Sequence, residues 1–123
     1  MILLREVLQD TDRAFRGMAA AGSPLLTVVD GFRVFAGASL RGSPLYTING
    51  NKLFKGNAVS GTPLATLVGD LIFLGNAKAG SPLARITHRS AFSGVKTAGN
   101  PLVTVPSGKV PTLFAAAYHA LRG

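Results

Sequence analysis

Apolar residues in this chain come in short bursts. Leu45-Tyr46-Thr47-Ile48 and Lys52-Leu53-Phe54-Lys55 flank Asn49-Gly50-Asn51, and Leu64 to Val68 and Leu71 to Leu74 flank Gly69-Asp70. Runs of about four β-favouring residues separated by Asn, Gly or Asp predict β-hairpins, because those turn residues tolerate the positive φ of a tight hairpin loop. Asp30-Gly31 holds the same place in its copy, as does Gly108 after Pro106-Ser107. The alanine-rich segment 112–122 predicts a short C-terminal helix, with Gly123 positioned as a C-cap.

The bursts obey a ruler. Pro24, Pro44, Pro63, Pro82 and Pro101 are spaced by 20, 19, 19 and 19 residues, and each precedes a leucine. Phe35, Phe54, Phe73 and Phe92 follow ten or eleven residues later, each with a glycine two positions on and another five beyond that. Phe15, Gly17 and Gly22 keep the same offsets, so residues 1–21 read as a degenerate first copy. The competing reading is a helix with Leu4, Val7, Leu8 and Phe15 on one face. A sixth copy starts at Pro101 and loses the pattern at Pro111-Thr112-Leu113. The copies therefore span about 1–21, 22–41, 42–60, 61–79, 80–98 and 99–111, in one domain of 123 residues.

Pairing follows from the turn. With Gly50-Asn51 at the tip, Ile48 faces Leu53, Thr47 faces Phe54 and Leu45 faces Gly56. One face then repeats Leu, Thr, Phe and Gly. The other varies, with Tyr46, Ile48, Leu53 and Lys55 in one copy and Ala65, Leu67, Ile72 and Leu74 in the next. The varied apolar face is expected to meet other copies or subunits. An isolated hairpin is barely stable, so the copies must bury one another. A closed, pseudo-symmetric, petal-like ring of about six hairpins removes exposed edges and is the expected all-β architecture; an open stack or solenoid is the alternative.

The run Gly61 to Phe73, G-x-P-L-x-x-L-x-G-D-x-I-F, resembles the repeats of bacterial hairpin-repeat proteins such as the four-fold beta-flower domains. The resemblance covers about Gly22 to Gly99 and implies a ring of hairpins about an axis. It implies no catalytic residue.

Composition changes the picture in two ways. The chain is 47% hydrophobic and 15% charged, which points to a self-associating surface and a homo-oligomer. Its 13 Lys and Arg against 5 Asp and Glu give a net charge of +8, which favours nucleic acid or an acidic glycan as partner. Without cysteine there is no disulfide or thiolate chemistry. No stretch of about 18 apolar residues predicts a transmembrane segment, and Arg5 and Glu6 interrupt Ile2-Leu3-Leu4, so a cytoplasmic location is the default expectation.

Catalytic constellations are thin. Asp30 and Asp70 are turn residues, Asp10-Thr11-Asp12 reads as a longer turn, and His88 and His119 lie 31 residues apart. No metal or cofactor motif is present, so the expectation is a non-enzymatic binding module for anionic polymers, with a structural, oligomer-forming component of a larger assembly as the alternative. The fourth copy breaks the repeat most. Arg85 stands where other copies have threonine, its turn is Thr87-His88-Arg89-Ser90, and Lys96 follows, which makes Arg85, His88, Arg89 and Lys96 the candidate anion-binding residues.

Overall fold

The computed structural model describes residues 10–123. Ten short strands alternate along the chain: β1 (Thr11–Arg16), β2 (Leu26–Val29), β3 (Arg33–Ala36), β4 (Tyr46–Asn49), β5 (Lys52–Lys55), β6 (Ala65–Val68), β7 (Leu71–Leu74), β8 (Ala84–Thr87), β9 (Ser90–Ser93) and β10 (Val103–Thr104). A C-terminal helix, α1 (Val110–Arg122), follows. All strands join one closed antiparallel barrel, in which each pairs with its chain neighbours and β1 pairs with β10. No helix among the described residues is long and apolar enough to cross a membrane.

The register is that of the tight turn. Thr47 pairs with Phe54 and Ile48 with Leu53, and the same Thr–Phe match recurs as Thr27–Phe35 and Thr66–Phe73. The β2–β3 turn holds Asp30, Gly31 and Phe32, because Val29 pairs with Arg33, whereas later tips hold two residues. That extra residue accounts for the single 20-residue interval. Asp30 (φ 56°) and Gly31 (φ 79°) supply the left-handed backbone this turn needs.

The chain forms four continuous hairpins, β2–β3 to β8–β9, and completes the ring with a strand pair drawn from its two ends. Phe15 on β1 pairs with Thr104 on β10, reproducing the Thr–Phe match of β2–β3, β4–β5 and β6–β7. Even the side-chain bond is reproduced. Thr27, Thr47 and Thr66 each donate their hydroxyl to the carbonyl of the glycine after the paired strand, Gly37, Gly56 and Gly75, at 2.7 Å, and Thr104 donates to Gly17 at 2.7 Å across 87 residues of sequence. The six copies in the sequence therefore make five strand pairs, since the incomplete first and last copies are two halves of one. Closure leaves no unpaired edge, which an open stack would expose. Of the helix proposed for residues 4–15, Leu4, Val7 and Leu8 lie outside the described residues, and Phe15 lies in β1.

Two contacts secure the closure at the turn-tip end. Lys109 binds the Asp10 carboxylate at 2.9 Å, and the Ser107 hydroxyl donates to Asp12 at 2.8 Å. Asp10-Thr11-Asp12 thus forms the start of β1 and its clamp onto the segment before α1.

Helix α1 fills the barrel. Thr112 to Tyr118 are consecutive buried residues, nearly two full turns, so every face of that stretch is covered. Leu113, Phe114, Ala115, Ala116 and Ala117 share one hydrophobic cluster with the inward strand residues, among them Leu26, Val34, Leu53, Ile72 and Val103. Alanines let the helix run close to the strands. Along the seams a small residue faces a large one, Ala14 to Leu26, Leu53 to Ala65, Ile72 to Ala84 and Ala91 to Val103. The varied face is therefore the barrel interior and packs on the chain's own helix instead of another subunit. The physical reason is symmetry: one helix shows a different side to each hairpin, so interior positions must differ from copy to copy.

The threonines and phenylalanines of the repeated face point outward, whereas its leucines, Leu25, Leu45, Leu64, Leu83 and Leu102, pack against the central cluster. Phe15, Phe35, Phe54, Phe73 and Phe92 are buried but stand apart from that cluster. In the β4–β5 and β8–β9 copies the long loop folds back along the outside, as the bonds from Asn49 to the Val59 carbonyl (2.9 Å) and from Arg85 to the Val95 carbonyl (3.3 Å) record.

Candidate functional site

Arg85, His88, Arg89 and Lys96 belong to the β8–β9 hairpin and occupy different levels of it. Arg85 lies on the outer face of β8, opposite Phe92 and Leu71. Its guanidinium lies 3.4 Å from the Asp70 carboxylate of the preceding tip and donates to Val95. It thus replaces the missing Thr-to-Gly bond with a bond to the loop. His88 and Arg89 form the exposed tip, with His88 held at φ 56°, and the Arg89 side chain lies beside Gly108. Lys96 is exposed in the loop after β9. No hydrogen bond joins any two of the four.

A second feature lies at the opposite mouth of the barrel, where the last turn of α1 emerges. A groove of about 380 Å³ opens there between the helix and the β4–β6 side, lined by Leu45, Leu64, Tyr46, Tyr118, His119, Lys55, Arg122 and Gly123. The helix lies closest to β8, β9, β10, β1, β2 and β4, and this off-centre position leaves the gap beside β5 and β6. Tyr46 points inward from β4, makes an edge-on contact with Tyr118 with ring centroids 5.7 Å apart, and bonds His119 Nδ1 through its hydroxyl at 2.7 Å. Burial first, and the neighbouring Tyr118 second, push the Tyr46 pKa up to about 12, so its hydroxyl stays protonated. Burial, and then the charge of Arg16, lower the His119 pKa below its usual 6.5. In a neutral His119, Nε2 is a donor when Nδ1 accepts from the Tyr46 hydroxyl and an acceptor when Nδ1 donates to it.

Lys55 and Arg122 are exposed on the groove rim and form no ion pair among the described residues. Tyr46 breaks the interior rule of the repeat, since equivalent positions hold Leu26, Ala65, Ala84 and Val103. That mismatch is the one sequence signal for the groove. Its partners are 73 residues away and meet it only through closure of the barrel around α1.

Charge is segregated along the chain's topology. The described aspartates, Asp10, Asp12, Asp30 and Asp70, lie at turn tips or at the tip end of β1, and each accepts a bond or ion pair there. The long loops and the strand ends that lead into them carry Arg16, Arg41, Lys55, Lys78 and Lys96 with no acidic residue. Comparison of the chain with protein-family models, curated proteins and solved structures finds no match.

Proposed function

We propose that this protein is a non-enzymatic binding module for anionic polymers, engaging them through its long loops and the mouth they surround. The observation that carries this reading is the segregation of charge. The aspartates are spent on holding turn tips, and among the described residues only Arg33, Arg85 and Lys109 are taken up in ion pairs, so the loops keep their cations for a partner. A surface of one sign attracts nucleic acid or an acidic glycan and releases counterions on binding, so affinity falls as salt rises. Arg85, tied to Asp70 and Val95, is mainly a structural replacement for threonine, His88 and Arg89 lie at the opposite, turn-tip end, and Lys96 contributes as part of the loop surface.

Titration of a fluorescent heparin oligosaccharide and of a single-stranded oligonucleotide at several salt concentrations tests the reading. The expected result is binding that weakens steeply with salt, with Arg41→Ala, Lys78→Ala and Lys96→Ala combined losing more affinity than Arg33→Ala with Lys109→Ala. Absence of binding to either polymer at low salt would sink it.

A structural role in a larger assembly is favoured by a different observation. Met18, Val59 and Val95 are 74%, 55% and 57% exposed on the long loops, an apolar load that suits a protein interface. Light scattering after size exclusion separates the two readings, because a uniform high-order oligomer without polyanion affinity belongs to the second alone.

A further inference from the structure

We propose that the groove at the helix-exit mouth is a binding site for a small amphipathic anion, a phosphate monoester or carboxylate attached to a flat apolar group. The groove opens at the mouth the loops surround and shares Lys55 with them, and it takes a small molecule whether or not a polymer binds the loops. Its volume of about 380 Å³ lies within the range of small-molecule pockets. Leu45, Leu64 and the Tyr118 ring supply an apolar floor, and Lys55 and Arg122 stand at the rim without a carboxylate partner among the described residues. Between floor and rim, the Tyr46–His119 bond fixes the imidazole, and in the tautomer whose Nδ1 accepts the tyrosine proton its free nitrogen is a donor. Apolar floor, fixed imidazole and two rim cations recognise a molecule that is flat and greasy at one end and anionic at the other.

The carbonyl end of α1 faces the same mouth and opposes an anion, and Arg122 in its last turn offsets that field. Only this seam of the barrel combines a buried tyrosine with a rim lysine, as Tyr46 opposite Lys55. The corresponding pairs elsewhere are Leu26 with Ala36, Ala65 with Leu74, Ala84 with Ser93 and Val103 with Arg16, so a rim cation occurs twice and the buried tyrosine once. In a repeat scaffold whose other interior positions obey packing, that exception marks a place selected for something besides packing.

The chain has two tyrosines and no tryptophan, and both tyrosines line the groove, so intrinsic emission reads it directly. The experiment is a titration with 1-naphthyl phosphate, following quenching of tyrosine emission by energy transfer, with free N-acetyltyrosinamide correcting for absorption by the probe. The expected result is saturation with a Kd below about 1 mM, and weakening by about tenfold or more for Lys55→Ala with Arg122→Ala. Lys55→Glu alone should weaken binding in the same sense, and Arg33→Ala with Lys52→Ala, at the turn-tip end, should leave it unchanged. 1-Naphthol should bind about tenfold more weakly than the phosphate. Failure to saturate, equal binding of 1-naphthol, or equal losses from the Arg33 and Lys52 pair would overturn the proposal. Heparin binding is read in its own titration through Arg41, Lys78 and Lys96, so the two readings fail independently.

Discussion

Thr66 shows why one residue type recurs on the outer face. Its hydroxyl is fully buried and ends on the Gly75 carbonyl at 2.7 Å, where the chain leaves the barrel for a long loop. Thr66→Ala strands that carbonyl and should cost about 1–3 kcal/mol, while Thr66→Ser should restore most of it. Phe54 and Phe73 are each 4% exposed, so Phe54→Ala and Phe73→Ala should each lose about 3–5 kcal/mol in chemical denaturation. Melting within a degree or two of the parent would contradict that placement. At the groove, folding holds Tyr46 neutral up to about pH 12 against 10.0 in an unfolded chain. Its raised pKa therefore contributes stability that is complete below pH 10.0 and is lost as pH rises through about 12. The lowered pKa of His119 acts in the opposite direction: its contribution is present above pH 6.5 and fades as pH falls below that. Spectrophotometric titration should show Tyr46 ionising near pH 12 in the folded protein, and Tyr46→Phe should remove that step.

Among the elements, the hairpins were legible in the sequence because their turns are written in Gly, Asn and Asp, and because the Thr–Phe register follows once Gly50-Asn51 is fixed as a tip. The faces were harder to assign. A repeated Phe suggests a shared centre, yet in this barrel the repeated Phe marks the outer layer, and variation marks contact with the one helix that has no symmetry. The groove was hidden for the same reason, since Tyr46 reads as one more varied residue until α1 is placed beside it. The interior must also fit that helix. Deleting residues 61–79 removes β6 and β7 and keeps the repeat in register, but an eight-stranded ring is narrower, and α1 no longer fits its lumen. Loss of cooperative thermal unfolding is expected, whereas a solenoid would fold as a shorter rod.

For the whole molecule, the defining step is closure by the two ends of the chain. Phe15 and Thr104 complete a unit that neither terminus holds alone, and Asp10–Lys109 and Asp12–Ser107 tie the same ends together. That arrangement places the cationic loops around one rim and holds α1 inside. It was obscured in the sequence because a split copy reads as two degenerate ones, atypical caps of an open stack. The chain contains no cysteine, so a designed pair reports on closure without competition. Arg16 and Val103 are directly paired across β1 and β10, within the Cα separation a disulfide spans. Arg16→Cys with Val103→Cys, oxidised in dilute solution, should form an intramolecular disulfide in a folded protein. Reduced thiols, or crosslinks only between molecules, would show that the chain ends do not meet and that the barrel is not closed as described.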